Sequence, residues 1–478
     1  MKKNQKAAGK YFIMKRSFTL AIVFLFSVIQ SFAQNETSRI FSLDSFILEV
    51  KKYHPLATQA DIQVDKAIAQ LQSARGAFDP ALKMDASRKT FDGKNYYYYA
   101  NPQLTIPFSV GDITTGVENN GGDFITPEIT KGRSSYFGLE IPLAKGLLLD
   151  KRRAVLQQAK ILRSQSEQER LLMFNNLLFE AYVAYLQWAA SFQQYNAYLR
   201  FTEVAGNRMR LVRIAFVNGD RAMADTVEAY VQVQNYELLQ AEAFLKLNNA
   251  KLEMANYLWR ANYTAYELPE NYAPDSLQLQ NTESFKDAAD LLAQSTGQNP
   301  LFQIYNYKLR SLEVERKLKF QSLLPYFSVK ANLLNRDYYA LKNLTPNFMQ
   351  NNYRWGIDFR VPLFLREARG DYRNAQLKIQ ETNLEFINKR QQTENKIRSY
   401  YNEFYALVYQ LGITKNMYQN YQSLLRTEEL KFAQGESSLF LVNSREIKVI
   451  EILQKQIELS FKFYKAKYAM EWAAGLLK

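Results

Sequence analysis

The chain has 478 residues, with 61 Lys and Arg against 47 Asp and Glu, one His and no Cys. Without cysteine it has neither disulfides nor a thiol lipid anchor, and a single histidine argues against a typical zinc site. Beyond the N-terminal region no 18 consecutive residues are apolar; even Leu171 to Ala190 contains Asn175, Asn176, Glu180 and Gln187. Crossing a membrane with helices is thereby disfavoured, which leaves barrel strands if a membrane is crossed at all.

At the N-terminus, Lys2, Lys3, Lys6, Lys10, Lys15 and Arg16 precede an apolar run from Phe18 to Ile29. Ser31-Phe32-Ala33 then supplies small residues at the −3 and −1 positions of a cut before Gln34. This order predicts a secretory signal peptide over residues 1–33. Those six basic residues are 6 of the 61, leaving 55 against 47, or +8. That modest excess on an exported chain argues against a nucleic-acid partner.

The rest of the chain repeats itself. His54-Pro55-Leu56 returns as Asn299-Pro300-Leu301, and each Pro is followed 25 residues later by another, Pro80 and Pro325. The stretches between read as helices stopped by the second proline, which lacks an N–H and restricts the residue before it. Alternating residues follow each stop, the mark of a strand with two unlike faces. A second strand ends each block, at Ile141-Pro142-Leu143 and Val361-Pro362-Leu363. Pro80, Pro142, Pro325 and Pro362 therefore mark strand boundaries, where a missing donor is tolerated. Eight of the 18 glycines fall between Gly93 and Gly146, so that segment reads as strands and surface loops, with residues 102–118 compatible with an extra hairpin.

Long helices come next, about 150–217 and 366–433, neither containing proline. At about 1.5 Å per residue each spans roughly 100 Å, a length that needs coiled-coil packing to bury its apolar stripe. Both break at a matched turn, Phe216-Val-Asn218-Gly219-Asp220 and Phe432-Ala-Gln434-Gly435-Glu436, and a returning helix follows. The expected division is a first repeat over 34–267 (strand pair about 81–143, helical hairpin about 150–262), a linker over 268–298, and a second repeat over 299–478 (strand pair about 326–363, hairpin about 366–477). Small helices are expected at Leu43 to Tyr53 and Phe285 to Ser295.

Taken together, doubled and in order, these landmarks resemble the TolC-like outer-membrane efflux family. The resemblance implies a membrane α+β fold with an internal two-fold repeat. Three protomers would share a 12-stranded β-barrel, four strands each, continued by a long periplasmic α-helical barrel. It implies an exit duct of a tripartite efflux or type I secretion system in the outer membrane of a Gram-negative bacterium, extending into the periplasm. The implied partners are outer-membrane lipid, a periplasmic adaptor and an inner-membrane pump. The matched turns would be tips that close the tube and dock the adaptor, through Phe216, Asn218, Gly219, Asp220, Phe432, Gln434, Gly435 and Glu436. Asp225 and Glu228, just past the first tip, would form an acidic pore constriction; Leu441 and Ser444 stand at the equivalent places in the second repeat, and Arg221 or Arg445 would pair with the acids. The alternative is an exported coiled-coil scaffold without a pore. No catalytic constellation, P-loop or dinucleotide motif is present, so neither an enzyme nor a cofactor is expected, and the lone His54 reads as a helix cap.

Overall fold

The computed structural model describes residues 39–269, 271–275, 288–336 and 351–477. The expected signal peptide and residues 337–350, within the expected second strand pair, lie outside the described residues. Strand β1 (Arg39–Phe41) and helix α1 (Leu43–Tyr53) lead into α2 (Pro55–Arg75), followed by β2 (Ala81–Phe91), β3 (Lys94–Pro107), β4 (Asp112–Gly121) and β5 (Gly132–Pro142). Helices α3 (Lys151–Val217) and α4 (Met223–Ala255) form the first long hairpin. After β6 (Tyr272–Pro274) and α5 (Ala288–Gln298) come α6 (Pro300–Gln321), β7 (Tyr326–Arg336), β8 (Tyr353–Arg360) and the second hairpin, α7 (Arg366–Ala433) and α8 (Leu439–Ala474).

Each repeat opens on the same cap. His54 Nδ1 accepts the Leu56 N–H at 3.2 Å, and Asn299 Oδ1 accepts the Leu301 N–H at 3.0 Å. Pro55 and Pro300 occupy the first helical position, where a missing N–H leaves no bond unmade. The His54 cap requires a neutral ring. Burial holds the His54 pKa below its usual value, against an opposing contribution from the Asn256 backbone. The unfolded chain therefore takes up this proton first as pH falls. His54 contributes stability that is full above roughly pH 6.5, the unfolded value, and is lost progressively as pH falls below it through the lower folded value. In His54→Asn, which keeps the cap without a titrating group, thermal unfolding should depend less on pH between roughly 7 and 5, as calorimetry would register; an unchanged profile would contradict this role.

The long helices pack by sevens. Tyr198, Ala205 and Val212 are buried on α3, and Ala229, Tyr236, Ala243 and Ala250 on α4. Ile397, Phe404 and Leu411 on α7 face Leu459, Ala466 and Ala473 on α8 in a second core. A strict seven-residue repeat is the coiled-coil pattern and winds the pair left-handed. The largest core lies at the waist, where Phe46 and Val50 of α1 meet Leu178, Tyr185 and Trp188 of α3 and Met254 of α4. There the Tyr185 hydroxyl donates to the Phe41 carbonyl at 2.6 Å and accepts from the Asp275 N–H at 3.0 Å, clipping the parallel pair β1–β6 to α3. Helix α4 ends at Ala255, short of the expected 262, and α5 runs over Ala288–Gln298, three residues past the end expected for the small helix at 285–295, whose first three residues lie outside the described ones.

The strands form one sheet in the order β2-β3-β4-β5-β7-β8, with every neighbouring pair antiparallel. The sheet thus holds the four strands of the two expected pairs and an additional pair. The extra pair, β3 and β4, begins at a two-residue turn, Asp92-Gly93, whose φ values of +50° and +69° are the left-handed pair of a type I′ hairpin. Pro80 and Pro325 directly precede β2 and β7, Pro142 ends β5, and Pro362 lies two residues beyond β8.

Candidate functional site

Two features have the geometry for function, the helical tips and the sheet. At the tips, Gly219 and Gly435 have φ of +83° and +80°, the left-handed conformation that closes a helix. The Asp220 N–H reaches back to the Ala215 carbonyl at 2.9 Å, and Glu436 to Lys431 at 2.9 Å, so the two turns share one backbone design. Asn218, Asp220, Gln434 and Glu436 are exposed, as is Phe216, whereas Phe432 is half-buried. Phe432 packs against Val212, Ala229 and Leu439 and is covered by Arg221. Its guanidinium lies over the Phe432 ring at 4.2 Å and donates to the Phe432 carbonyl at 3.0 Å. The first tip is thus latched onto the second through Arg221, which the sequence reading had paired with an acid.

Above the latch lies a polar cluster that sequence reasoning missed. Arg208 of α3 binds Glu446 of α8 through both guanidinium nitrogens, at 2.8 and 2.9 Å, and reaches Glu429 of α7 at 3.4 Å. The Tyr236 hydroxyl of α4 donates to Glu446 at 2.9 Å. Asn443 joins the cluster to Glu228, donating to its carboxylate at 3.2 Å. Glu446 is 1% exposed. Burial opposes charge on Arg208, but the bond to Glu446 and the surrounding acids hold its pKa above the usual value. Burial, then the Glu446 carboxylate, raises the Tyr236 pKa, keeping it a hydroxyl donor. One signal for this cluster was readable. Arg208 stands eleven residues before Gly219 and Glu446 eleven after Gly435, at equal height on adjoining arms. Glu228 is therefore bonded to the second hairpin, while Asp225 is half-buried in the first turn of α4, where the helix dipole favours its charge.

In the sheet, residues opposite one another share a face. Thr105, Thr114, Gly138, Asn332 and Arg354 form one row across five strands, and Asp112, Glu140 and Lys330 part of another. Shifting one residue along gives the other face: Ile106, Ile113, Leu139, Ala331 and Trp355 in one row, Leu82, Leu104, Thr115, Phe137, Leu333 and Tyr353 in the next. One face is polar and charged, the other apolar. The apolar face is open: Leu82 is 77% exposed, Trp355 64% and Phe359 61%. The sheet does not close on itself, since β2 and β8 each pair on one side only. Among the described residues no helix is long and apolar enough to cross a membrane.

Where strand becomes helix, Asp150 caps α3 by accepting the Arg153 N–H at 2.8 Å. Arg152 bonds Asp112 at the foot of β4 at 2.6 Å, and Lys319 of α6 bonds Asp371 of α7 at 2.6 Å. The first pair fixes the sheet to α3 at its lower rim, and the second ties α6 to α7. Down the shaft, the outermost helices carry exposed apolar stripes at seven-residue spacing: Val231, Leu238, Leu245 and Leu252 on α4, Leu377 and Leu384 on α7.

No known protein family and no curated protein matches the chain in sequence. Solved structures do match in shape. The chain is similar to the CmeC outer membrane channel of Campylobacter jejuni, with 16% identity over 91% of this chain and 86% of that one and a TM-score of 0.66. It is similar to the open state of the Neisseria gonorrhoeae MtrE outer membrane channel, at 13% identity, 91% and 89% coverage and a TM-score of 0.66. The outer membrane protein VceC of Vibrio cholerae gives 14%, 91%, 96% and 0.63. The chain has the fold of these outer-membrane channels. With 91% of the chain matched, the channel fold takes in both repeats rather than one hairpin. The two-faced sheet and the latched tips are then opposite ends of one long body.

Proposed function

We propose that the chain is the subunit of an exit duct in the outer membrane of a Gram-negative bacterium, serving a tripartite efflux or type I secretion system. The observation that carries this reading is the sheet. An open sheet with one polar, charged face and one apolar face, the apolar one exposed at Leu82, Trp355 and Phe359 in the single chain, is unsuited to water. Closed into a ring with lipid outside and an aqueous lumen inside, each face meets its proper solvent and no strand edge remains unpaired. Strands of 8 to 14 residues suit a tilted membrane crossing.

Ring closure requires further copies of the chain. The β8 edge of one copy pairs with the β2 edge of the next, a head-to-tail contact that closes by rotation. Likeness to the channel fold supports three copies. The shaft then extends about 100 Å into the periplasm, and its tips receive an adaptor that connects the duct to an inner-membrane pump. A pore-free scaffold would leave the apolar sheet face in water, so nothing in the molecule favours that alternative.

Asp225, repeated by the ring, places carboxylates around the narrow end and attracts cations. Asp225→Ala should weaken block by divalent cations applied from the periplasmic side of a planar bilayer; unchanged block would remove Asp225 from the constriction. The duct reading itself is tested by membrane fractionation and unheated gel migration. Outer-membrane recovery as a heat-dissociable oligomer is expected, and a monomer in the soluble periplasm would overturn it.

A further inference from the structure

We infer that the outlet this chain builds is an eighteen-stranded barrel, because all six strands of the sheet belong to its wall. The inference rests on the duct reading and on three copies around the pore. It concerns β3 and β4, a hairpin without a counterpart in the described part of the second repeat. Such an insertion has two physical options. It can stand outside the wall as a flap, or it can be spliced in and widen the ring.

Four observations favour splicing. First, β3 and β4 are interior strands: β2 reaches β5 only through them, and they are hydrogen-bonded on both sides. Second, they obey the sheet's division of faces. Ile106 and Ile113 continue the apolar row of Leu139 and Trp355, and Thr105 and Thr114 continue the polar row of Asn332 and Arg354. A flap in water gains nothing from an apolar row matched to that of the wall. Third, the foot of β4 is tied to the first turn of α3 by Arg152 and Asp112 at 2.6 Å, which sets the hairpin at the common lower rim.

The fourth observation is the stagger. The ladder that begins at Ala81, the first residue of β2, passes Thr105, Thr114, Gly138 and Asn332 and meets β8 at Arg354, six residues before its end at Arg360. Six residues at about 3.3 Å is about 20 Å of slip, over five strand spacings of about 4.8 Å, or about 24 Å. The resulting tilt is about 40°, within the range that a closed membrane barrel requires. The six strands thus already have the inclination of a barrel wall, with the inserted pair counted in it. At that spacing and tilt, eighteen strands enclose a backbone diameter of about 36 Å, against about 24 Å for twelve. The outlet is then wider than four strands per chain would make it, and the inserted hairpin lines part of its lumen with threonine, asparagine and glutamate.

The absence of cysteine allows single-site labelling of the full-length protein in lipid vesicles. Ile106→Cys, Ile113→Cys and Thr105→Cys would each carry an environment-sensitive fluorophore, with Trp355→Cys as the control on β8. Labels at 106, 113 and 355 should emit blue-shifted light and be quenched by nitroxide lipids, and the label at 105 should be quenched by aqueous iodide instead. Quenching by nitroxide lipids at 355 but by iodide at 106 and 113 would place the hairpin outside the wall and overturn the inference, leaving the duct reading intact. An aqueous label at 355 would overturn both. Electron microscopy of the same oligomer in nanodiscs supplies the count: eighteen strands in cross-section are expected, and twelve, from three copies or from two, would refute the inference.

Discussion

Glu446→Ala should destabilise the tip end of the shaft by about 3–5 kcal/mol, the usual consequence of removing one partner from a buried ion pair. The side chain is 1% exposed and carries two bonds from Arg208 and one from Tyr236. Its loss leaves a guanidinium and a hydroxyl buried at the junction of α3, α4 and α8. Because the cluster and the Arg221 latch join one hairpin to the other, the tips should also separate more readily. Thermal unfolding of the purified oligomer would read the first effect, and a rise in open-channel conductance the second. The double variant Arg208→Ala/Glu446→Ala should cost much less than the sum of the single changes, since it strands no charge. If Glu446→Ala unfolds like the wild type, the cluster is not a structural link.

Leu139→Arg should prevent stable membrane insertion, whereas Gln103→Arg should assemble normally. Leu139 stands in the middle of the apolar row, and a guanidinium facing lipid near the bilayer midplane costs about 2–4 kcal/mol in each copy. Gln103 lies on the polar face, opposite Lys83 and Gly116, where a cation meets water. Outer-membrane fractionation of the two variants separates these outcomes. Equal recovery of both would mean that the apolar face does not meet lipid.

Much of this architecture is legible in the residues. Prolines at 55, 80, 300 and 325 delimit helices and strands because a missing N–H acts locally, so their positions carry over directly into the fold. The matched turns at Gly219 and Gly435 are legible for the same reason. The sheet was under-read. Residues 96–99 are four successive tyrosines and residues 118–123 a run of acid, asparagine and glycine, so neither stretch shows clean alternation. The wall is nonetheless continuous there, since backbone pairing fixes the faces. Asp92-Gly93 turns β2 into β3, and the turn from β3 to β4 at 108–111 lies inside the hairpin read over 102–118. The Arg208–Glu446 cluster shows in the residues only through its matched eleven-residue offsets from Gly219 and Gly435, because its members are 238 residues apart and meet only when the two hairpins pack.

The central claim is that copies of this chain together form a water-filled passage through a lipid bilayer. The direct measurement is single-channel recording after adding the protein, extracted from outer membranes, to a planar bilayer. Discrete conductance steps are expected, enlarged by Arg221→Ala as the latch between the tips is lost. A preparation that binds the bilayer as an intact oligomer yet passes no current, with the latch present or removed, would contradict the account.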